Sequence, residues 1–391
     1  MNHIKLFTCY FYDFYIHSNS FLTELNYIPT QAHALYNSCY ARDGDARWQR
    51  EAFTAQQLYW GESVQLSYSN QGKVTKKLKM ALGRVRERVK SGLTEIGPLV
   101  EQFNFGPEDI RSAKYDQLTD TWISKVKCLS SACNTDMIDF TSTIIKEAVK
   151  ICGPTPCEFA CVGIGSIARG ETTPYSDLEF LFLVKDVAHE CYFERLAVTT
   201  YFLIGNLGET KLKYMNIEEL SKDKWFENES RNGFKIDGLS PNAGNIPTGN
   251  GSEEKRNKFI TTVDELVAKH KEVYRDVPDR DNALKGDLSA MLASTVLLYG
   301  SKRIVNEFTC RIAAIDATGA RRSVTQEMLA QDERKFMLKP GKRLAEKIEL
   351  KDQIYRYPTI LLFDMKIYFK LSSSQCWSVI NELVEENVIA A

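Results

Sequence analysis

Residues Phe159 to Val184 read FACVGIGSIARGETTPYSDLEFLFLV. Two apolar runs, Phe159–Ile164 and Leu178–Val184, flank a short polar stretch. Runs of this length bounded by Gly, Thr, Pro and Ser predict two short strands. The first ends in Gly165-Ser166, and the second opens on Asp177 and Glu179, two positions apart. Residues two apart in an extended segment share a face, so the two carboxylates are expected to project together.

That arrangement suits a nucleoside triphosphate and its metal. Phosphoryl and nucleotidyl transfer need in-line positioning and cations that offset phosphate charge. Carboxylates converging on one point can hold two ions about 4 Å apart. Asp237 ends the segment Gly233–Asp237, just before a stretch rich in Gly, Asn and Pro, and is expected to bring a third carboxylate from a neighbouring strand. On the phosphate side, a strand that ends in Gly-Ser and turns into a helix presents backbone N–H groups to an anion. Gly165 permits close backbone approach, and the Ser166 hydroxyl can bond a terminal phosphate oxygen. Arg169 and Glu171 fall in the connecting loop, one to contact phosphate and the other to orient it. A D-x-E pair alone is usually a solvated strand edge, and a lone Asp237 is usually a turn residue. The combination of Gly-Ser, ten intervening residues, D-x-E in an apolar strand and a further acid points to a nucleotide site.

Outward from this stretch, the 391 residues are 43% hydrophobic and 26% charged, a globular composition with room for two or three domains. The net charge of -1 gives no global field toward nucleic acid or a membrane. Ten cysteines without a C-x-x-C and five scattered histidines argue against a zinc site and for free thiols in a reducing compartment. The aromatic-rich Ile4–Ile16 is interrupted by Lys5 and Asp13 and is too short to span a bilayer, so a cytoplasmic protein is expected.

Val74, Leu78, Leu82, Val85 and Val89 form one apolar helical stripe. The opposite face is basic, with Lys73, Lys76, Lys77, Lys79, Arg84, Arg86, Arg88 and Lys90. Without interleaved aromatics this is expected to be a solvated helix face, with nucleic acid the less favoured partner. Gly97-Pro98 is expected to break the chain beyond this helix. Further helices are predicted over about Thr135–Ile151, Tyr192–Leu207, Glu253–Tyr274, Asn282–Tyr299, Arg303–Ile315, Glu327–Met337 and Gln353–Leu371. Further strands are predicted over Lys211–Ile217 and Gly233–Ile236.

The signature Gly165-Ser-Ile-Ala-Arg169-Gly-Glu171 followed by Ser176-Asp177-Leu-Glu179 resembles that of the DNA polymerase beta-like nucleotidyltransferase superfamily. More narrowly it resembles the protein-PII uridylyltransferases. The likeness extends over roughly Asp136 to Leu371. Asn206–Thr210 and Phe234–Gly238 resemble the segments after the first helix and around the third acid. Leu298–Gly300 resembles the helix behind the site, and Lys351 with Tyr355–Pro358 resembles a late basic helix. The resemblance implies an α+β fold, with a small mixed β-sheet nucleotidyltransferase core between an N-terminal helical region and a C-terminal helical bundle. The expected division is a leader over 1–45, helices over 46–134, the core over 135–252 and a helical domain over 253–391.

The resemblance also implies transfer of a nucleoside monophosphate from an NTP, UTP favoured, to an acceptor hydroxyl such as a protein tyrosine. Asp177, Glu179 and Asp237 would hold Mg²⁺ or Mn²⁺. Gly165, Ser166, Arg169, Glu171, Lys351 and Arg356 would hold the nucleotide. Glu179 stands where the uridylyltransferase pattern usually has Asp, which leaves open a catalytically weak nucleotide-binding or scaffolding module. An RNA-modifying enzyme is a third alternative. The histidines form no hydrolase-type His-Asp pair, so the uridylyl-removing half of the bifunctional enzymes is not expected. A stand-alone transferase and a portion of a longer protein both remain open.

Overall fold

The runs 159–163 and 180–184 lack polar alternation because both faces of the strands they form are covered. The computed structural model describes residues 47, 50–51, 68–103, 112–207, 209, 233–236, 260–273, 294–315, 325–326, 329–330 and 356–389. Helices α1 (Tyr68–Glu101) and α2 (Ala113–Cys152) lead into strand β1 (Phe159–Gly163), the short α3 (Ser166–Arg169), β2 (Phe180–Val184) and α4 (Glu190–Gly205). Next come β3 (Ile260–Thr261), α5 (Val263–Val273), β4 (Val296–Gly300), α6 (Lys302–Ala313), α7 (Arg356–Phe369) and α8 (Cys376–Glu385). The fold is α+β.

The four strands form one mixed sheet in the order β3-β2-β1-β4. Strand β1 pairs antiparallel with β2, Phe159 opposite Val184 and Gly163 opposite Phe180, and antiparallel with β4 on its other side. Strand β3 runs parallel to β2. Alternation along the strands sorts side chains onto two faces. Ala160, Val162, Leu181 and Leu183 join an aliphatic cluster with Val267 of α5 and Ile304 and Phe308 of α6. On the other face Phe159 and Phe182 meet Phe193 of α4, with ring centroids 5.2 and 5.9 Å apart. Each fully buried aromatic or aliphatic side chain contributes about 1.5–3 kcal/mol relative to exposure, so this two-sided burial is the main support of the strand pair that carries the Gly-Ser turn.

By contact the chain divides into two compact units, Met1–Lys76 with Tyr201–Arg231 and Lys77–Thr200 with Asn232–Ala391. The first includes the start of α1 and the end of α4, where Phe202, Leu203 and Ile204 are buried. The second contains the whole sheet. Within it the apolar stripe of α1 is buried at Leu78, Leu82 and Val85. Part of its basic face is engaged: Lys77 pairs with Glu147 at 3.1 Å and Arg88 with Asp136 at 2.5 Å. Lys79, Arg84 and Lys90 are exposed. Among the described residues no helix is long and apolar enough to cross a membrane.

Several sequence expectations are corrected. The helix expected over Asn282–Tyr299 is a strand where it is described: β4 opens at Val296, and Leu298–Gly300 is sheet rather than a helix behind the site. Within the segment expected as a helix over Glu253–Tyr274, Ile260–Thr261 is strand β3 and helix begins at Val263. Pairing with β2 and β1 decides both, and neither partner is near in sequence. Helix α2 begins at Ala113, well before Thr135, because Ser112 caps it by accepting from the Tyr115 N–H at 3.2 Å. The position 134/135 therefore lies inside one continuous helix. Gly97-Pro98 does not stop α1, which runs through Pro98 to Glu101. Pro98 has no N–H to offer the Thr94 carbonyl, so the last turn continues with one ladder bond fewer. The segments Lys211–Ile217, 282–293 and most of Glu327–Met337 lie outside the described residues.

Candidate functional site

Antiparallel pairing places the end of β1 beside the start of β2, and this brings the Gly-Ser turn to the acid pair. The Ile164 N–H donates to the Glu179 carbonyl at 3.0 Å, which extends the ladder one step past Gly163 and Phe180. Gly165 then turns the chain with φ 67° and ψ −142°, a combination open only to glycine. Its missing side chain has a direct use: a Cβ built there would overlap Oε2 of Glu179. The Glu179 carboxylate therefore lies against the backbone of the turn, next to Ser166. Ser166 opens α3, whose first ladder bonds run from the N–H groups of Ala168 and Arg169 to the Gly165 carbonyl, each at 3.2 Å. The N–H groups of Ser166 and Ile167 precede those bonds and so have no intrahelical acceptor. Gly170 closes α3 in the left-handed conformation, φ 74°.

Asp177 is two residues upstream of Glu179, with the buried Leu178 between them. Leu178 forms a parallel bridge with Ile236, and its N–H donates to the Lys235 carbonyl at 2.7 Å. The segment Gly233–Ile236 thus lies alongside the acid pair. It is anchored by Phe234, buried and edge-on to Phe140 of α2 at 5.3 Å. Lys235 reaches Asp177, Nζ to Oδ1 at 3.6 Å, with side-chain exposures of 26% and 34%. Asp237 succeeds Ile236 in the sequence but lies outside the described residues, as does Lys351. Arg356 opens α7, and its side chain is likewise outside the description. Among the described residues no group of three His, Cys, Asp or Glu side chains could hold a metal ion.

Arg169 and Glu171 are tied to each other. Arg169 Nε donates to Glu171 Oε2 at 2.8 Å, and the guanidinium lies over the Phe363 ring of α7 at 5.2 Å. Oε1 of Glu171 accepts from Cys376 Sγ at 2.6 Å and from Thr359 Oγ1 at 3.4 Å. Burial, together with the Glu171 charge and its hydrogen bond, pushes the Cys376 thiol far above the usual thiol range, so it stays a neutral donor. The rest of the loop is held by α1 and α2. Ser130 Oγ donates to the Gly170 carbonyl at 2.9 Å, Cys133 Sγ to the Thr172 carbonyl at 3.5 Å, and Arg86 Nη2 to the Pro174 carbonyl at 3.1 Å. The Arg86 guanidinium also covers the exposed Tyr175 ring at 4.4 Å.

Gly165, Ser166, Asp177 and Glu179 are therefore gathered at one end of β1 and β2. Sequence reasoning missed Lys235, Thr359, Cys376 and Arg86. Lys235 had a signal, since it belongs to the same short segment as Asp237. The others had none, because they lie far along the chain from the loop they hold.

Residues 118–209 match the family model described as "Putative nucleotidyltransferase DUF294". The matched region contains Gly165, Ser166, Asp177 and Glu179, and it supports a nucleotidyltransferase-like domain and a general nucleotidyl-transfer function. No curated protein matches the chain.

Proposed function

We propose that this chain is a metal-dependent nucleotidyltransferase that moves a nucleoside monophosphate from an NTP, UTP favoured, to an acceptor hydroxyl, with a protein tyrosine as the acceptor class. One observation carries the proposal: the Glu179 carboxylate rests against the Gly165-Ser166 turn, in the space a side chain would otherwise fill. That contact supports the reading, because the acid proposed to bind metal and the turn proposed to bind phosphate are neighbours.

Mg²⁺ or Mn²⁺ fits the donor set. Mg²⁺ in phosphoryl-transfer sites is bound by one or two carboxylates together with substrate phosphates, and Asp177 and Glu179 supply such oxygens, with Asp237 proposed as the third. When bound, the metal would offset the charge that develops on the phosphates. The Ser166 hydroxyl and the backbone N–H groups of the turn bind and orient the terminal phosphate, and Gly165 allows the close approach. Asp237 takes the acceptor proton. Lys351 and Arg356 are the further residues proposed to bind the triphosphate.

The test is transfer of labelled nucleotide by the full chain with Mn²⁺. Product is expected from wild type and not from Asp177→Ala; equal product from both refutes the proposal. A nucleotide-binding module without turnover is the second reading. It is favoured by Lys235, which already occupies Asp177 at 3.6 Å and would compete with a cation. Calorimetry with UTP and Mn²⁺ run beside the transfer assay separates the two, because the module predicts binding without transfer to any acceptor.

A further inference from the structure

Toward α7 and α8, the loop between the phosphate turn and the acid pair is tied through the carboxylate of Glu171. Glu171 accepts from three elements at once: from Arg169 at the end of α3, from Thr359 in α7, and from Cys376 at the start of α8. The Arg169 and Glu171 side chains are only 16% and 15% exposed. An ion pair this enclosed is sensitive to loss of either member, because the survivor would be left poorly solvated. The Arg169 guanidinium gives its Nε–H to this carboxylate and covers Phe363, so both contacts turn it toward Glu171 and α7. The Glu171 backbone meanwhile donates its N–H to the Ser166 carbonyl at 2.9 Å. One residue thus bonds the C-terminal helices through its side chain and the phosphate-binding serine through its backbone. The neighbouring Gly170 sits against Gln375, where an added Cβ would lie 3.3 Å from Cγ.

We infer that Glu171 is a positioning residue for the nucleotide: it couples α7 and α8 to the Gly165-Ser166 turn, so that the two C-terminal helices set where Ser166 stands relative to Asp177 and Glu179. The inference rests on the nucleotidyl-transfer reading. It gives α7 and α8 a part in nucleotide affinity that does not require them to touch the nucleotide, and it assigns Arg169 to Glu171 rather than to phosphate.

The experiment uses the full chain, a non-hydrolysable UTP analogue and Mn²⁺. Analogue affinity is measured by calorimetry, KM and kcat by transfer assay, and stability by the unfolding midpoint in urea. Cys376→Ala and Thr359→Val each remove one donor and leave the Arg169–Glu171 pair in place. Each is expected to weaken analogue binding and raise KM by about threefold to tenfold, the range of a single lost hydrogen bond. The double variant should lose less than the product of the two. Cys376→Ser, which keeps a donor, should restore affinity to within about twofold of wild type. Glu171→Gln is expected to lose more than either single variant; if it fails to fold, the Cys376 and Thr359 variants decide the matter. A lowered unfolding midpoint with unchanged analogue affinity and KM would make the network merely structural and overturn the inference while leaving the transferase proposal standing. Wild type that binds no analogue overturns both.

Discussion

Replacing Gly165 by Ala tests the site at the point where its two halves touch. Alanine would have to adopt φ 67° with ψ −142°, outside even the left-handed helical well. Strain of that kind costs about 1–3 kcal/mol. Its Cβ would also overlap Oε2 of Glu179. Overpacking costs about 1–3 kcal/mol, toward the lower end here because the obstacle is the far end of a flexible side chain. The two terms together predict a loss of about 2–4 kcal/mol, read as a shift of the urea unfolding transition. They are separable. In Gly165→Ala/Glu179→Ala the overlap is gone and the backbone strain remains, so the double variant should be about 1 kcal/mol more stable than the sum of the single losses predicts. Gly165→Ala should also abolish calorimetric binding of UTP with Mn²⁺, because Glu179 is displaced from the turn. An unchanged transition with intact binding would refute the reasoning. So would a cycle additive to within about 0.3 kcal/mol, since Glu179 could not then be what the turn accommodates.

At Gly300 a Cβ would strike the backbone carbonyl of Phe159 with φ at 97°, so Gly300→Ala should cost at least about 2 kcal/mol in urea unfolding; a near-neutral result would disprove the tight β1–β4 approach. Hydrogen bonds from Arg303 and Ser301 hold the Glu158 carboxyl down at about 2, against an ordinary 4.5. Its contribution to stability is therefore present above pH 4.5 and lost as pH falls toward 2, and Arg303→Gln should flatten that part of the acid unfolding profile. Burial and then the Asp136 charge push the Cys133 thiol up to about 11, so its contribution is present below pH 9 and lost as pH rises through 11. In a thiol-reagent assay on the native protein at about pH 8, Cys133 and the fully buried Cys161 should stay unlabelled while the exposed Cys128, Cys191 and Cys310 react. Lys235→Met removes a cation 3.6 Å from Asp177, worth about 1 kcal/mol in a water-like dielectric, and should tighten Mn²⁺ binding about fivefold by calorimetry; unchanged affinity would show that Lys235 does not compete for the site.

The central strand–turn–strand was legible because its signals are local. Short apolar runs, a glycine at the turn and acids at the start of the second run each depend on neighbouring residues alone. The amphipathic α1 was legible for the same reason, since a helical stripe is a property of one segment. Strand β4 was not. Val296–Tyr299 is a short apolar run at the end of a segment of helical composition, and periodicity alone cannot tell a buried strand from a buried helix at that length. Its pairing with β1 decides the matter. Strand β3, two residues long, has no pattern to read and exists through its bonds to Phe182 and Leu183.

The same division runs through the site. The junction of β1 and β2 is readable from the chain alone, because backbone conformation at Gly165 and the proximity of Asp177 and Glu179 are matters of a few consecutive residues. Long-range packing is what sets Glu179 on the turn, Lys235 at Asp177, and Arg169 and Glu171 against each other beside α7 and α8. A charged loop residue looks alike in sequence whether it meets phosphate or protein. The distinction is made by Phe363, Thr359 and Cys376, which reach the loop only when the distant C-terminal helices fold against it and exclude water from the ion pair.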